Sequence, residues 1–326
     1  MRNQALTRDL LAPAVELWNR CLGERFPMRP GLLEQNLFHE PNFDPEGSRA
    51  ICDGDRLVAL IAVKRQQVDI GVQQADNRGW ISAILVDPAY QGQGIGSALL
   101  RDALAHLSRF AADDVSLGGD PGHLFPGVPF ECRPALDWFA RRGAYLSAPV
   151  CDLASEAIAA YRHPARAEEA FRATPGVTYR PAGEGDVAPL QAFMRAEFPG
   201  RWAYEVEQHL ARQGRLEDVM LAVENGKVIG FARIHCPEST RFGPPTYWAP
   251  LFPGRHGGLG PIGVGADQRG RGVGLALLSA SIAELRDRGI QSGVIDWTML
   301  VRLYGLVGFR PWRWYTVASL PAAPAP

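Results

Sequence analysis

Two short runs in this 326-residue chain carry residue types suited to binding an anion. They are Gln91-Gly92-Gln93-Gly94-Ile95-Gly96 and Arg269-Gly270-Arg271-Gly272-Val273-Gly274, 178 positions apart. Glycines at alternate positions let the backbone come close to a ligand and turn its N–H groups outward, and a helix that starts there adds partial positive charge. Such a turn can cradle a pyrophosphate. Other phosphate motifs fit less well: Gly-x-Gly-x-x-Gly cannot be placed on either run, the preceding strands follow hairpins rather than crossover helices, and no Gly-Lys-Ser/Thr follows. A dinucleotide fold and a nucleotide-hydrolysing loop are therefore disfavoured.

The elements that must position these turns occur twice in the same order, which reads as an internal repeat. Asp9 precedes Leu10, Leu11, Ala14, Leu17 and Trp18 at helical spacing, and Asp186 precedes Val187, Leu190, Phe193 and Met194 likewise. A hairpin follows in each copy, over 49–63 and 219–234, with Asp53-Gly54 and Asn225-Gly226 as the turn dipeptides. A third strand, 81–86 or 259–264, leads into the glycine turn. Beyond each turn an apolar stripe predicts a helix: Ile95, Leu99, Ala103, Leu107 and Phe110 in the first copy, Leu278, Ile282 and Leu285 in the second. Residues 154–174 are Ala-rich with alternating charges and end at Pro175-Gly176, which predicts a connecting helix and a turn. The expected organisation is a first domain over 1–154, a connector over 155–176, a second domain over 177–320 and a frayed tail over 321–326.

Bulk composition agrees with two globular cores. Hydrophobic residues make up 46% and charged residues 21%, and the formal net charge is -1, so nothing suggests a nucleic-acid or anionic-membrane partner. No run reaches the length of a membrane span, and Arg2, Arg8, Asp9 and Glu16 interrupt the amino-terminal stretch, which excludes a signal-peptide core there. The five cysteines are odd in number and form no Cys-x-x-Cys pair. They read as reduced thiols of a cytoplasmic protein with no metal site.

Residues 86–100, Val-Asp-Pro-Ala-Tyr-Gln-Gly-Gln-Gly-Ile-Gly-Ser-Ala-Leu-Leu, resemble motif A of the GCN5-related N-acetyltransferases, and residues 264–278 are similar throughout. The resemblance implies an α/β (α+β) chain of two tandem GNAT-type domains, each a mixed, mostly antiparallel central sheet flanked by helices. The tandem arrangement resembles that of mycothiol synthase-like enzymes. It further implies acetyl-CoA or a related acyl-CoA, lying in a V-shaped opening between the fourth and fifth strands. The pyrophosphate would rest on the glycine turns, and the pantetheine arm on strand backbone around Ile84 and Val86, or Ile262 and Val264. The acceptor would be a primary amine of a small molecule or peptide.

The family commonly places a Tyr four residues before a Gly-Phe pair, as proton donor to the departing thiolate. Tyr304, ahead of Gly308-Phe309, matches that spacing, and 294–296 supplies a fifth strand before it. In the first copy Phe139 precedes Gly143-Ala144, and a phenyl ring has no proton to give. A positioned acid contributes roughly 10²- to 10⁴-fold. For the base, Asp296, His235 and Glu238 remain open by position.

Two loops stand outside the repeat. From turn to helix aromatic the first copy runs 43 positions and the second 30; the surplus falls near 120–132. There His123 and Glu131 could rebuild a site, or the loop's aromatic residues could plug an unused cleft. The second loop, 242–256, carries Tyr247, Trp248 and Phe252, which suit an acceptor site or an interdomain or subunit contact. Three readings follow: the second domain is catalytic, the first is catalytic through its 120–132 loop, or both bind acyl-CoA as a sensor without transfer.

Overall fold

The uninterrupted apolar run from Val58 to Val63 is buried throughout, as befits a strand covered on both faces. It lies in the first of two compact units into which the chain folds; the computed structural model describes residues 1–69, 78–110 and 114–322. The first unit begins with β1 (Arg2–Ala5), α1 (Leu11–Leu22) and the short α2 (Pro30–Leu33). The hairpin β2 (Arg49–Asp53) and β3 (Arg56–Arg65) follows, then β4 (Gly79–Val86), α3 (Ile95–Ser108), β5 (Asp114–Leu117), β6 (Val128–Pro129) and α4 (Arg133–Ala140). Next, β7 (Tyr145–Ser155) leaves this unit after Val150 and enters the second at Cys151.

The second unit continues with α5 (Ala165–Ala173), β8 (Val177–Pro181), α6 (Val187–Glu197), α7 (Arg201–Ala211), β9 (Val219–Glu224) and β10 (Lys227–His235). It is completed by β11 (His256–Val264), α8 (Val273–Asp287), β12 (Ser292–Thr298) and α9 (Val301–Gly305). The last strand, β13 (Arg310–Pro321), returns to the first unit from Trp314.

The sheet order is the same in both units. In the first it is β1-β2-β3-β4-β5 and then β13, antiparallel except for β4 beside β5. In the second it is β8-β9-β10-β11-β12 and then β7, antiparallel except for β11 beside β12. Helix α3 buries Leu99, Ala103 and Leu107 against β3 and β4, and α8 buries Leu278, Ile282 and Leu285. These are the stripes read from the sequence.

Three details differ from the sequence reading. The units are not bounded at 154 and 177, because residues 151–155 pair with β12 while the chain end pairs with β5. A strand's last hydrogen bonds are long-range, and no local pattern records them. For the same reason the tail is not frayed at its start: Pro321 pairs with Asp114 and Ala322 is buried, while 323–326 lie outside the described residues. The first hairpin turns on Gly54-Asp55 rather than Asp53-Gly54, with Asp53 paired to Arg56, only Gly54 of the two at positive φ, and a register shift between Ile51 and Cys52. The second turns on Asn225-Gly226, both at positive φ. All five cysteines are free, and no described helix is long and apolar enough to cross a membrane.

Candidate active site

Parallel strands β11 and β12 pair only from His256–Ser292 to Leu259–Ile295; past that point both continue without pairing to each other. The opening between them leaves the β11 backbone at Ile262 and Val264 bonded only on its β10 side. In the first unit β4 and β5 part after Ile81–Leu117, so Ile84 and Val86 border the same kind of opening.

Each opening leads to its glycine turn. Gly92 and Gly94 have φ of 76° and 82°, and Gly270 and Gly272 have 79° and 93°, a region that a side chain makes costly. A Cβ added at Gly92, Gly94 or Gly270 would meet no atom within 4 Å, so conformation, not crowding, calls for glycine there. The Gln91 and Gln93 side chains fold back onto the carbonyls of Val86 and Ala89. Among the described residues the amides of Gly92, Gln93 and Gly94 donate to no backbone carbonyl. With the first amides of Ile95 and Gly96 they form a ring of donors at a helix start, which suits a pyrophosphate.

In the second unit the amides of Gly270 and Gly272 are likewise without a backbone acceptor. Here Arg271 is clasped by both carboxylate oxygens of Glu224, at 2.7 and 3.1 Å. Arg269 makes no ion pair among the described residues. The α5 side of this turn is closer: Ala170 stands 3.3 Å from where a Gly272 Cβ would lie. Val273 is buried and starts the helix, and Gly274 faces Val264.

Where β11 and β12 part lies a cavity of about 330 Å³ lined by Arg201, Trp202, Glu205, His235, Ile262, Asp296 and Tyr304. Three sequence candidates thus line one cavity, but their chemistry differs. Asp296 Oδ1 has no hydrogen-bond partner among the described residues. Burial, and then the negative charge of Asp152, push its pKa up to about 7, with Arg201 pulling the other way. That value suits a group that takes a proton near neutrality. Tyr304, buried, has its pKa pushed up to about 12 by burial first and by Asp296 second, while a side-chain hydrogen bond with Thr298 opposes the shift. Its phenol therefore stays protonated.

His235 is 1% exposed and its Nε2 donates to the Gly260 carbonyl at 3.0 Å. Burial first, and the charge of Arg233 second, hold its pKa well below the ordinary histidine value. It fixes Gly260 rather than collecting protons. Glu238 lies outside the cavity lining, paired with Arg255 at 2.6 Å.

The first unit's opening holds a smaller cavity of about 220 Å³ lined by Trp18, Ile84, Val86, Phe125, Phe139 and Cys21 among others. Burial pushes the Cys21 thiol up to about 11, so it is protonated too. The 120–132 loop is tied down by a buried ion pair between Lys64 and Asp120 at 2.5 Å, and Lys64 also donates to the Pro121 and Gly122 carbonyls. Its Phe125 stacks on Trp18 at 5.5 Å and meets Phe26 edge-on at 4.8 Å. Phe125 therefore forms part of the lining and leaves the cleft open beside it, while His123, buried, does not line the cavity.

Register supplies a comparison that the sequence alone did not. The 178-residue offset equates Ile81 with Leu259, and their parallel partners are Leu117 and Ile295. One residue further on, Gly118 stands where Asp296 does. The first unit thus has glycine for the carboxylate and Phe139 for the phenol. The aromatic loop of the second unit mostly packs inward: Tyr247 and Trp248 are buried, Phe252 stacks on His256 at 4.1 Å, and only Pro244 reaches the cavity. Sequence reasoning missed Asp152 on β7, Arg201 and Glu205 on α7, and Trp297 beside Asp296 on β12.

The model of the Acetyltransferase (GNAT) family matches residues 11–122 and again 188–309. A mycothiol acetyltransferase of Thermobispora bispora is 26% identical over 305 residues, covering 87% of this chain and 88% of its own. Among solved structures, the GCN5-related glucosamine N-acetyltransferase region of a fungal multi-domain GH3 beta-N-acetylglucosaminidase is similar, with a TM-score of 0.86 and 25% identity. That match covers 98% of this chain, which spans only 38% of the longer fungal one. A tandem GNAT protein from the clavulanic acid biosynthesis pathway shares the fold at a TM-score of 0.65 and 14% identity, covering 100% of this chain and 99% of that one.

Proposed function

Since the chain belongs to the acetyltransferase (GNAT) family, matched in both halves, we propose that it moves an acetyl group from acetyl-CoA to a primary amine, with the chemistry in the second unit. The observation that carries this reading is that Asp296 and Tyr304 line one cavity, set against Gly118 and Phe139 at the matching places of the first unit. Acetyl-CoA supplies the acyl group as a thioester; its pyrophosphate suits the amides of residues 270–274, and its pantetheine arm the free edge of β11 at Ile262 and Val264.

The chain's own residues handle the protons. An ammonium acceptor that becomes an amide loses two. Asp296, with its proton affinity near neutrality, takes the first and frees the nitrogen lone pair. Tyr304 gives its proton to the sulfur as the carbon–sulfur bond breaks, and the second proton lost by nitrogen restores the phenol. One proton leaves to solvent per turnover. The two steps reinforce each other: Asp296 is a cause of the raised Tyr304 pKa, so protonating Asp296 removes a charge that had made the phenol a weaker acid.

The first unit keeps the turn at residues 91–96 and an apolar slot, and in this reading it holds acyl-CoA without transferring from it. The acceptor is a small-molecule or peptide amine. Because the similar fungal region bears glucosamine in its description, glucosamine leads the panel of acceptors. The test is a thiol-release screen with acetyl-CoA against amino sugars, polyamines, amino acids, aminoglycosides and peptide amino termini. Turnover with any of them supports transfer; tight CoA binding with no release across the panel supports a sensor instead.

A further inference from the structure

We infer that Asp152 is a positioning residue for the second unit's site, locking a bulge in β12 that turns the Asp296 side chain into the cavity. The inference rests on the reading that Asp296 is the proton acceptor there. In the ladder between β7 and β12, Ile295 faces Leu153 and Thr298 faces Cys151. Asp296 and Trp297 together therefore stand opposite Asp152 alone. Two residues against one break the alternation of the strand and re-aim a side chain, a device found beside active sites.

The bulge is strained, for Trp297 has φ of +43°, a costly conformation for a bulky residue unless its surroundings enforce it. Asp152 enforces it. The Trp297 N–H donates to Asp152 Oδ1 at 2.9 Å, and that carboxylate is 5% exposed, so the bond is charge-assisted and shielded from water. The Cys151 thiol donates to the Thr298 carbonyl at 3.5 Å on the far side of the bulge. The Arg201 guanidinium covers the Trp297 ring at 4.3 Å. With the bulge held, Asp296 Oδ1 occupies space beside Gly260, where a Cβ would come within 2.3 Å of it.

Asp152 also acts through its charge. The ionisable groups around Asp296 are Arg201 and Glu205 on α7, Arg233 and His235 on β10, Tyr304 on α9 and Asp152 on β7. Of these, Asp152 is the largest contributor to the raised Asp296 pKa, second only to burial. The first unit has neither carboxylate: counting along the β13 register from Ser319 opposite Ser116 puts Val317 where Asp152 stands.

Two variants separate geometry from charge. Asp152→Asn keeps an oxygen for the Trp297 amide and removes the charge; Asp152→Ala removes both. The Asp296 carboxyl carbon is titrated by NMR in the intact chain without acyl-CoA, and the pH profile of kcat/KM is measured with acetyl-CoA and the acceptor found in the screen. In Asp152→Asn the carboxyl titration and the acid limb should both move to lower pH by about one unit, with the plateau rate retained. In Asp152→Ala the plateau should also fall about 10²-fold, the usual effect of misplacing a reacting group by an ångström. An unmoved titration in Asp152→Asn overturns the proposal, as does a wild-type plateau in Asp152→Ala. The titration needs no turnover and uses the variant that keeps the Trp297 bond, so it can overturn the proposal through its charge even if the alanine variant does not fold. Wild-type turnover in Asp296→Asn overturns the underlying reading of the site instead.

Discussion

Replacing Asp296 by asparagine should stabilise the protein and silence it together. The side chain keeps its size, and Oδ1 loses no hydrogen bond because it has none among the described residues. What changes is the proton. The folded-state pKa of about 7 lies above the ordinary 3.8, so the folded protein holds this proton more tightly than the unfolded chain does. The stability it contributes is complete below the unfolded value and is lost as pH rises through the folded one.

Each pH unit in that window carries about 1.4 kcal/mol. The carboxyl borders an open cavity, and solvent screening there reduces the loss between about pH 5 and pH 8 to roughly 2 kcal/mol. The neutral amide has no such loss. Denaturant unfolding at both pH values should therefore show Asp296→Asn gaining about 2 kcal/mol on wild type at the higher pH relative to the lower. In the same preparation kcat/KM should fall by about 10²- to 10⁴-fold, and the limb that rises through pH 7 should vanish. A variant with no pH-dependent gain refutes the raised proton affinity. A variant with the gain but wild-type turnover refutes the role of Asp296 as base.

Other perturbations test neighbouring parts of the account. Gly260→Ala puts a methyl 2.3 Å from Asp296 Oδ1 at a φ of 155°; it should cost about 2–4 kcal/mol in unfolding free energy and lower kcat by displacing the carboxyl. In the first unit, Lys64→Met strands the buried Asp120 carboxylate and should destabilise by about 3–5 kcal/mol, whereas the Lys64→Met/Asp120→Leu double variant should recover most of that in the same unfolding assay. Phe139→Tyr should add no turnover to a Tyr304→Phe background, because Gly118 offers no base; thiol release above that background would show the first unit to be competent.

Much of the fold could be read from local pattern. The glycine turns, the helices behind them and the Asn225-Gly226 hairpin each follow from residues a few positions apart, and the offset between the copies aligned them. The contrast of Tyr304 with Phe139 came instead from the family resemblance, through the Tyr that the family places four residues before a Gly-Phe pair. The rest depends on pairings across the chain. Nothing near Asp152 in sequence marks it as part of a site, since its role arises from facing a bulge 145 residues later. Likewise, the buried pair of Lys64 and Asp120 joins an apolar strand to a loop 56 residues on. His235 looked like a base by position; only its burial and its bond to Gly260 reveal a structural task.

The central claim is that a phenol in the second unit hands its proton to the leaving thiolate. The most direct test is the kcat for acetyl-CoA-dependent thiol release by Tyr304→Phe, which gives that unit the ring the first already has. The account predicts a fall of about 10²- to 10⁴-fold with the folded state retained, whereas turnover equal to wild type would contradict it.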